Sequence, residues 1–186
     1  MKELIYEYMD PKSTLEQIQE ACKKTLSEKY AGLCVPQWFV STAKQALNGA
    51  AKVVTIVGLP GGTTSSFAKY AEAKQAVANG ADSVLVTVNM DMCANSDFAA
   101  AKNDLIASMA PAKKHNCAAA ILDAAALTKE QLVEAGKFCM DAGARTVYVI
   151  NACDKCMEAL LAAGIEAGTF GLHTVASARI CVTPAG

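Results

Sequence analysis

Two thiols three positions apart, in Cys153-Asp154-Lys155-Cys156, form the sharpest chemical motif in this chain of 186 residues. A C-x-x-C at a predicted helix start sets its thiols beside unpaired backbone N–H groups and the positive end of the helix dipole, which lowers a thiol pKa. The motif fits a redox dithiol or half of a zinc or iron site, with Cys153 and Cys156 as ligands and His173, in a late loop, as a further one. In a chain with eight cysteines, chance and core packing are the competing reading. Three other side chains stand at or near predicted strand ends. Asp123 closes an apolar run and is either a general acid/base or the cap of the loop before Leu127. Tyr148 is either a proton donor in a pocket or a filler of the core. Cys34 stands near the end of the short run that begins at Gly32 and adds a thiol to the same set. Gly58-Leu59-Pro60-Gly61-Gly62-Thr63-Thr64 could turn backbone N–H groups toward a phosphate, but it lacks the Gly-Lys-Ser/Thr ending of a P-loop. Its plainer reading is a tight strand-to-helix turn capped by Thr63 or Thr64.

A repeating α/β scaffold must position these groups. Ser13 or Thr14, followed by Glu16 or Gln17, makes a capping box for a first helix that ends near Lys29. Gly32-Leu33-Cys34-Val35 reads as a short strand stopped by Pro36, and residues 52–58 read as a longer, β-branched one. Apolarity on successive positions, without alternation, means burial on both faces. A helix over 65–79 stops at Gly80 and a strand over 83–89 follows. The same grammar returns as a helix over 100–114 with a strand over 117–123, and as a helix over 129–142 with a strand over 146–151. Such alternation predicts a parallel sheet with right-handed crossovers, open or closed into a barrel. After Asn151 the rhythm shortens, whereas a full eight-stranded barrel commonly uses about 250 residues. The expectation is an α/β fold, one domain over 1–186; as a TIM-type β/α barrel it would be shortened at its C-terminal end by minimal final units or by incomplete closure.

Composition narrows the partners. Seventeen basic against eighteen acidic side chains leave a formal charge of -1, so no global field favours nucleic acid or an anionic membrane. No stretch reaches the length of a membrane span, and residues 1–7 carry charge where a signal peptide needs an apolar run. The expectations are a cytoplasmic protein with reduced, mostly buried thiols, a small-molecule metabolite as partner, and self-association as a dimer or larger.

From Leu4 to about Asn151 the succession of segments resembles the deoxyribose-phosphate aldolase family. The residues that carry the likeness are Pro11-Lys12-Ser13-Thr14, Cys34-Val35-Pro36-Gln37-Trp38-Phe39-Val40, and above all Val54-Thr55-Ile56-Val57-Gly58-Leu59-Pro60-Gly61-Gly62 with Lys69, Glu72-Ala73-Lys74 and Asn79-Gly80-Ala81-Asp82. Ile121-Leu122-Asp123 with Leu127-Thr128 and Glu130, then Ala142-Gly143-Ala144, continue it. The resemblance implies a barrel that joins acetaldehyde to a phosphorylated aldehyde through a lysine imine. The imine lysine falls on Tyr148 and the acidic proton relay of the fourth strand on Leu85. The second lysine has no counterpart within 165–172, and the Thr-Ser-Thr-Gly run is Val149-Ile150-Asn151-Ala152 here. At Asp123 the family also carries an acid.

A phenol cannot form an imine, and every lysine reads as lying on a helix, in a loop or at a strand's first residue. The leading expectation is therefore an aldolase-like barrel, a pseudoenzyme or altered lyase, that binds a small carbonyl or phosphorylated metabolite and needs no cofactor. The alternatives are a cysteine-based redox or metal enzyme using Cys153 and Cys156, and a non-catalytic interaction subunit.

Overall fold

The computed structural model describes residues 4–170 and 179–182. Seven strands pair side by side in chain order, all parallel: β1 (Leu4–Glu7), β2 (Gly32–Cys34), β3 (Lys52–Val57), β4 (Ser83–Thr87), β5 (Ala118–Asp123), β6 (Val147–Ile150) and β7 (Ala167–Phe170). They curl into a TIM-type barrel, and the ring is completed by β8 (Arg179–Val182), which runs antiparallel to both neighbours. Positions 171–178 are too few for the crossover of a dozen or more residues that a parallel strand needs, which accounts for the reversed direction. The shortening foreseen at the C-terminal end takes this form. Among the described residues β8 registers with β1 over four positions and with β7 at Thr169 opposite Val182.

Helices cover the outside of the barrel. They are α1 (Leu15–Ser27), α2 (Val40–Leu47), α3 (Ser66–Ala78), α4 (Met90–Ala94), α5 (Phe98–Lys114), α6 (Lys129–Asp141) and α7 (Asp154–Ala162). Thr14 and Gln17 form the capping box of α1, and Thr128 and Gln131 form that of α6. Ser65, rather than Thr63 or Thr64, caps α3 by accepting from the Ala68 N–H at 3.2 Å. Two elements were not anticipated. β1 is four residues long and ends on a charge, so its pairing with β2 and β8 is what makes it a strand. α4 is one turn capped by Asn89, in the span between the strand read over 83–89 and the helix read over 100–114.

Because the strands are buried on both faces, alternate positions belong to different cores. Ile5, Cys34, Ile56, Leu85, Ile121 and Tyr148 point into the barrel. Leu33, Val53, Val84, Val86, Ala120 and Val149 pack outward beneath the helices. Among the described residues no helix is long and apolar enough to cross a membrane.

Candidate functional site at the barrel mouth

In a β/α barrel the chemistry gathers at the C-terminal ends of the strands. Tyr148, in the middle of β6, is buried within the inner cluster and stands in register with Ile121 on β5 and Gly168 on β7. Thr87 is in register with the same Ile121 from the other side, so Thr87, Ile121 and Tyr148 form one row across three strands. Asp123 lies two positions further along β5, hence about 7 Å nearer the mouth on the same face. Its Oδ1 accepts from Asn151 Nδ2 and from the Ala125 N–H, each at 2.9 Å. The carboxylate is therefore held by the loop that follows β6 as well as by its own turn. Cys34 is fully buried in the inner cluster and pairs in register with Glu7 at the end of β1.

The structure thus brings Asp123, Tyr148 and Cys34 to the inner face of one barrel, with Asp123 at the rim and the other two enclosed. Glu7 and Thr87 share that face, each 4% exposed, and neither was foreseen. Glu7 follows from period-2 alternation after Ile5 once residues 4–7 are read as a strand. Thr87 follows Leu85 in the same way, and its Oγ1 is buried without a hydrogen-bond partner among the described residues.

Lys69 lies on a helix, as its sequence position implies, but its side chain reaches the end of β4. It is completely buried on α3, and its Nζ donates to Thr87 O at 3.2 Å, to Gly62 O at 2.9 Å and to Asp104 Oδ2 on α5 at 2.5 Å. Those three acceptors match the three donors of an ammonium. Glu72, one helical turn on, accepts the Gly58 N–H at 2.9 Å. Gly62 adopts φ +69°, and a Cβ there would overlap the Val88 carbonyl. The Gly58–Gly62 turn is thus a joint locked by Lys69 and Glu72 against the end of β4, in keeping with its reading as a tight turn.

The two thiols of the C-x-x-C lie on the same face of the barrel, at the start of α7. Cys153 is the N-cap and exposed, and its Sγ sits 2.7 Å from Cys156 Sγ while accepting the Cys156 N–H at 3.3 Å. The hydrogen bond from the Cys156 thiol, helped by the Cys156 N–H, holds Cys153 below the ordinary thiol value, and the same bond raises Cys156. Cys22, Cys34, Cys93, Cys117 and Cys139 are buried. Burial pushes Cys93 up to about 11 and Cys139 well above its usual range. Cys93, on α4, packs into the outer core. Among the described residues no three His, Cys, Asp or Glu side chains gather as a metal set. His173 lies outside the described residues.

Comparison with known proteins agrees with this architecture. The model of the DeoC/LacD family aldolases matches residues 6–117. The deoxyribose-phosphate aldolase of Caldicellulosiruptor saccharolyticus is 31% identical over 140 residues, covering 74% of this chain and 64% of its own length. That of Clostridium tetani is 29% identical over 137 residues, covering 73% and 63%. The chain thus spans under two thirds of the length of these relatives. In three dimensions it superposes on a Coccidioides immitis protein provisionally described as a deoxyribose-phosphate aldolase, with a TM-score of 0.81 at 24% identity over 91% of this chain and 70% of that one. The tetrameric deoxyribose phosphate aldolase of Aeropyrum pernix gives 0.74 at 15% identity over 87% and 72%. At those identities the structures speak for the fold, and the sequence match speaks for descent: this chain belongs to the DeoC/LacD aldolase family.

Proposed function

We propose that this chain is an aldolase-like barrel that binds a small carbonyl or phosphorylated metabolite at its mouth without forming a lysine imine, as a pseudo-aldolase or a lyase of altered chemistry. The observation that carries the reading is the placement of Tyr148 and Asp123 on successive inward positions of adjoining strands. Imine formation needs a primary amine free to attack a carbonyl, and a phenol has none. Lys69 is the buried lysine among the described residues, and its three donors are committed to Gly62, Thr87 and Asp104. In this reading Tyr148 donates to the carbonyl oxygen and Asp123, oriented by Asn151, takes or returns a proton. The Thr87 hydroxyl supports a polar ligand, because leaving it unpaired costs about 1–3 kcal/mol that a bound oxygen would offset.

The test is mass spectrometry of the protein after acetaldehyde and sodium borohydride, beside calorimetric titration with deoxyribose phosphate. The reading expects saturable binding of the sugar phosphate and no reduced adduct. A stoichiometric adduct on any lysine overturns the absence of imine chemistry, and no binding of either compound overturns the metabolite site.

Self-association belongs to the same proposal. Trp38 is 84% exposed and Phe67 80%, both on segments that leave the mouth ends of β2 and β3, and a second copy of the chain is the occupant proposed for them. The tetramer described for the Aeropyrum pernix relative supports this. Mass in solution should be that of a dimer or larger, and a monomer at every concentration sinks it.

A further inference from the structure

The dithiol at the start of α7 has no part in the chemistry proposed for the mouth, and four observations single it out beside the five buried cysteines. Cys153 is exposed while five others are buried. Its sulfur is within contact of a second thiol, at 2.7 Å. It caps a nine-residue helix, where a backbone N–H already points at the sulfur. Finally, the two thiols differ in acidity in the useful direction, the outer one lowered and the inner one raised. An accessible nucleophile beside a less acidic, resolving partner is the arrangement that thiol–disulfide exchange requires.

We infer that Cys153 and Cys156 form a thiol–disulfide exchange site for the disulfide of a low-molecular-weight thiol. The Cys153 thiolate attacks one sulfur of the incoming disulfide, its S–S bond breaks, and the first small thiolate leaves and takes a proton from solvent. Cys156 then gives its proton to solvent and attacks the Cys153 sulfur. The mixed disulfide breaks, the second small thiolate departs and is protonated, and a Cys153–Cys156 disulfide remains. Two electrons have passed from the protein dithiol to the small disulfide, which ends as two thiols. A reduced small thiol in excess runs the same steps backward. The contact between the sulfurs lets the second attack proceed without moving the helix.

The inference does not depend on what the barrel mouth binds, and oxidised glutathione is the probe. The protein is incubated with it, quenched by alkylation at timed points, digested and analysed by mass spectrometry. The expected result is a Cys153–Cys156 linkage in the unmodified chain, a glutathione adduct held on Cys153 in Cys156→Ser, and at least about tenfold slower modification in Cys153→Ser. The buried Cys93 and Cys139 serve as internal references and stay unmodified. A stable glutathione adduct on Cys153 of the unmodified chain, with no linkage to Cys156, overturns the inference. So does equal reactivity of Cys153→Ser. One zinc ion held per chain by native mass spectrometry, with both thiols shielded from alkylation, replaces it with a metal site. Failed exchange alongside retained deoxyribose phosphate binding sinks this inference alone.

Discussion

Two joints of this barrel, both leading from a strand end into a helix, are built on opposite principles. Between β3 and α3 every polar group is tied down: Lys69 spends all three donors, Glu72 holds the Gly58 N–H, and Gly62 fits where no side chain can. Between β6 and α7 the polar groups face outward. Asn151 reaches across to Asp123, and Cys153 presents an exposed sulfur at the helix start. The first joint lies within the stretch that matches the family model, whereas the second follows it. The lesson is that a stretch can announce a family most clearly where its side chains hold the scaffold together. The Gly58–Gly62 turn with Lys69 and Glu72 is the most specific likeness in the sequence, and it serves to hold β3, β4, α3 and α5 together.

That contrast can be broken by experiment. Lys69→Met should cost about 3–5 kcal/mol in urea unfolding, because it strands the Asp104 carboxylate and two carbonyls. A loss below about 1 kcal/mol would mean the first joint is not the anchor described. Gly62→Ala should cost about 1–3 kcal/mol through the left-handed backbone and the Val88 carbonyl, and unchanged stability would show that the joint has slack. The buried thiols of the outer core should make stability fall as pH rises. Cys93 titrates near 9 when unfolded and at about 11 when folded, so the unfolded chain releases its proton first. The stability this thiol contributes is fully present below pH 9 and is lost progressively toward pH 11. Denaturation followed across that window checks the sign. Tyr148→Phe keeps the ring and removes the hydroxyl, so it should cost stability only about 1 kcal/mol while weakening deoxyribose phosphate binding about tenfold. Equal binding by calorimetry would return Tyr148 to the role of core filler. Cys156→Ala should leave the unfolding midpoint where it is and slow Cys153 alkylation at neutral pH by a factor on the order of a few.

Much of the scaffold was legible because local chemistry and tertiary structure agree. Thr14 with Gln17 and Gly80 after α3 are written in residues whose preferences need no partner. What was not legible depends on partners distant in sequence. Leu4–Glu7 is too short to declare itself, and with it Glu7 was missed as an inward carboxylate. Lys69 reads as an ordinary helix lysine until Asp104, 35 positions away, is seen to meet it. The direction of β8 depends on the span available before it. Of the candidate site, Asp123 could be proposed because the end of its strand could be located and Tyr148 because the family lysine falls on it, whereas Thr87 lay inside an apolar run with nothing to mark its hydroxyl as unpartnered.

The reversed eighth strand bears on the order of assembly. β1 through β7 can be added in sequence, each pairing with the strand before it, but β8 must find β1 from the other end of the described chain, with Leu4 opposite Val182. Contacts so remote are the slowest to form, since closing the loop costs entropy before the pairing returns anything. The ring should therefore shut last and open first. Amide hydrogens along β8 should exchange well ahead of those in β3, β4 and β5, as a seam that breathes while the rest of the barrel stays shut.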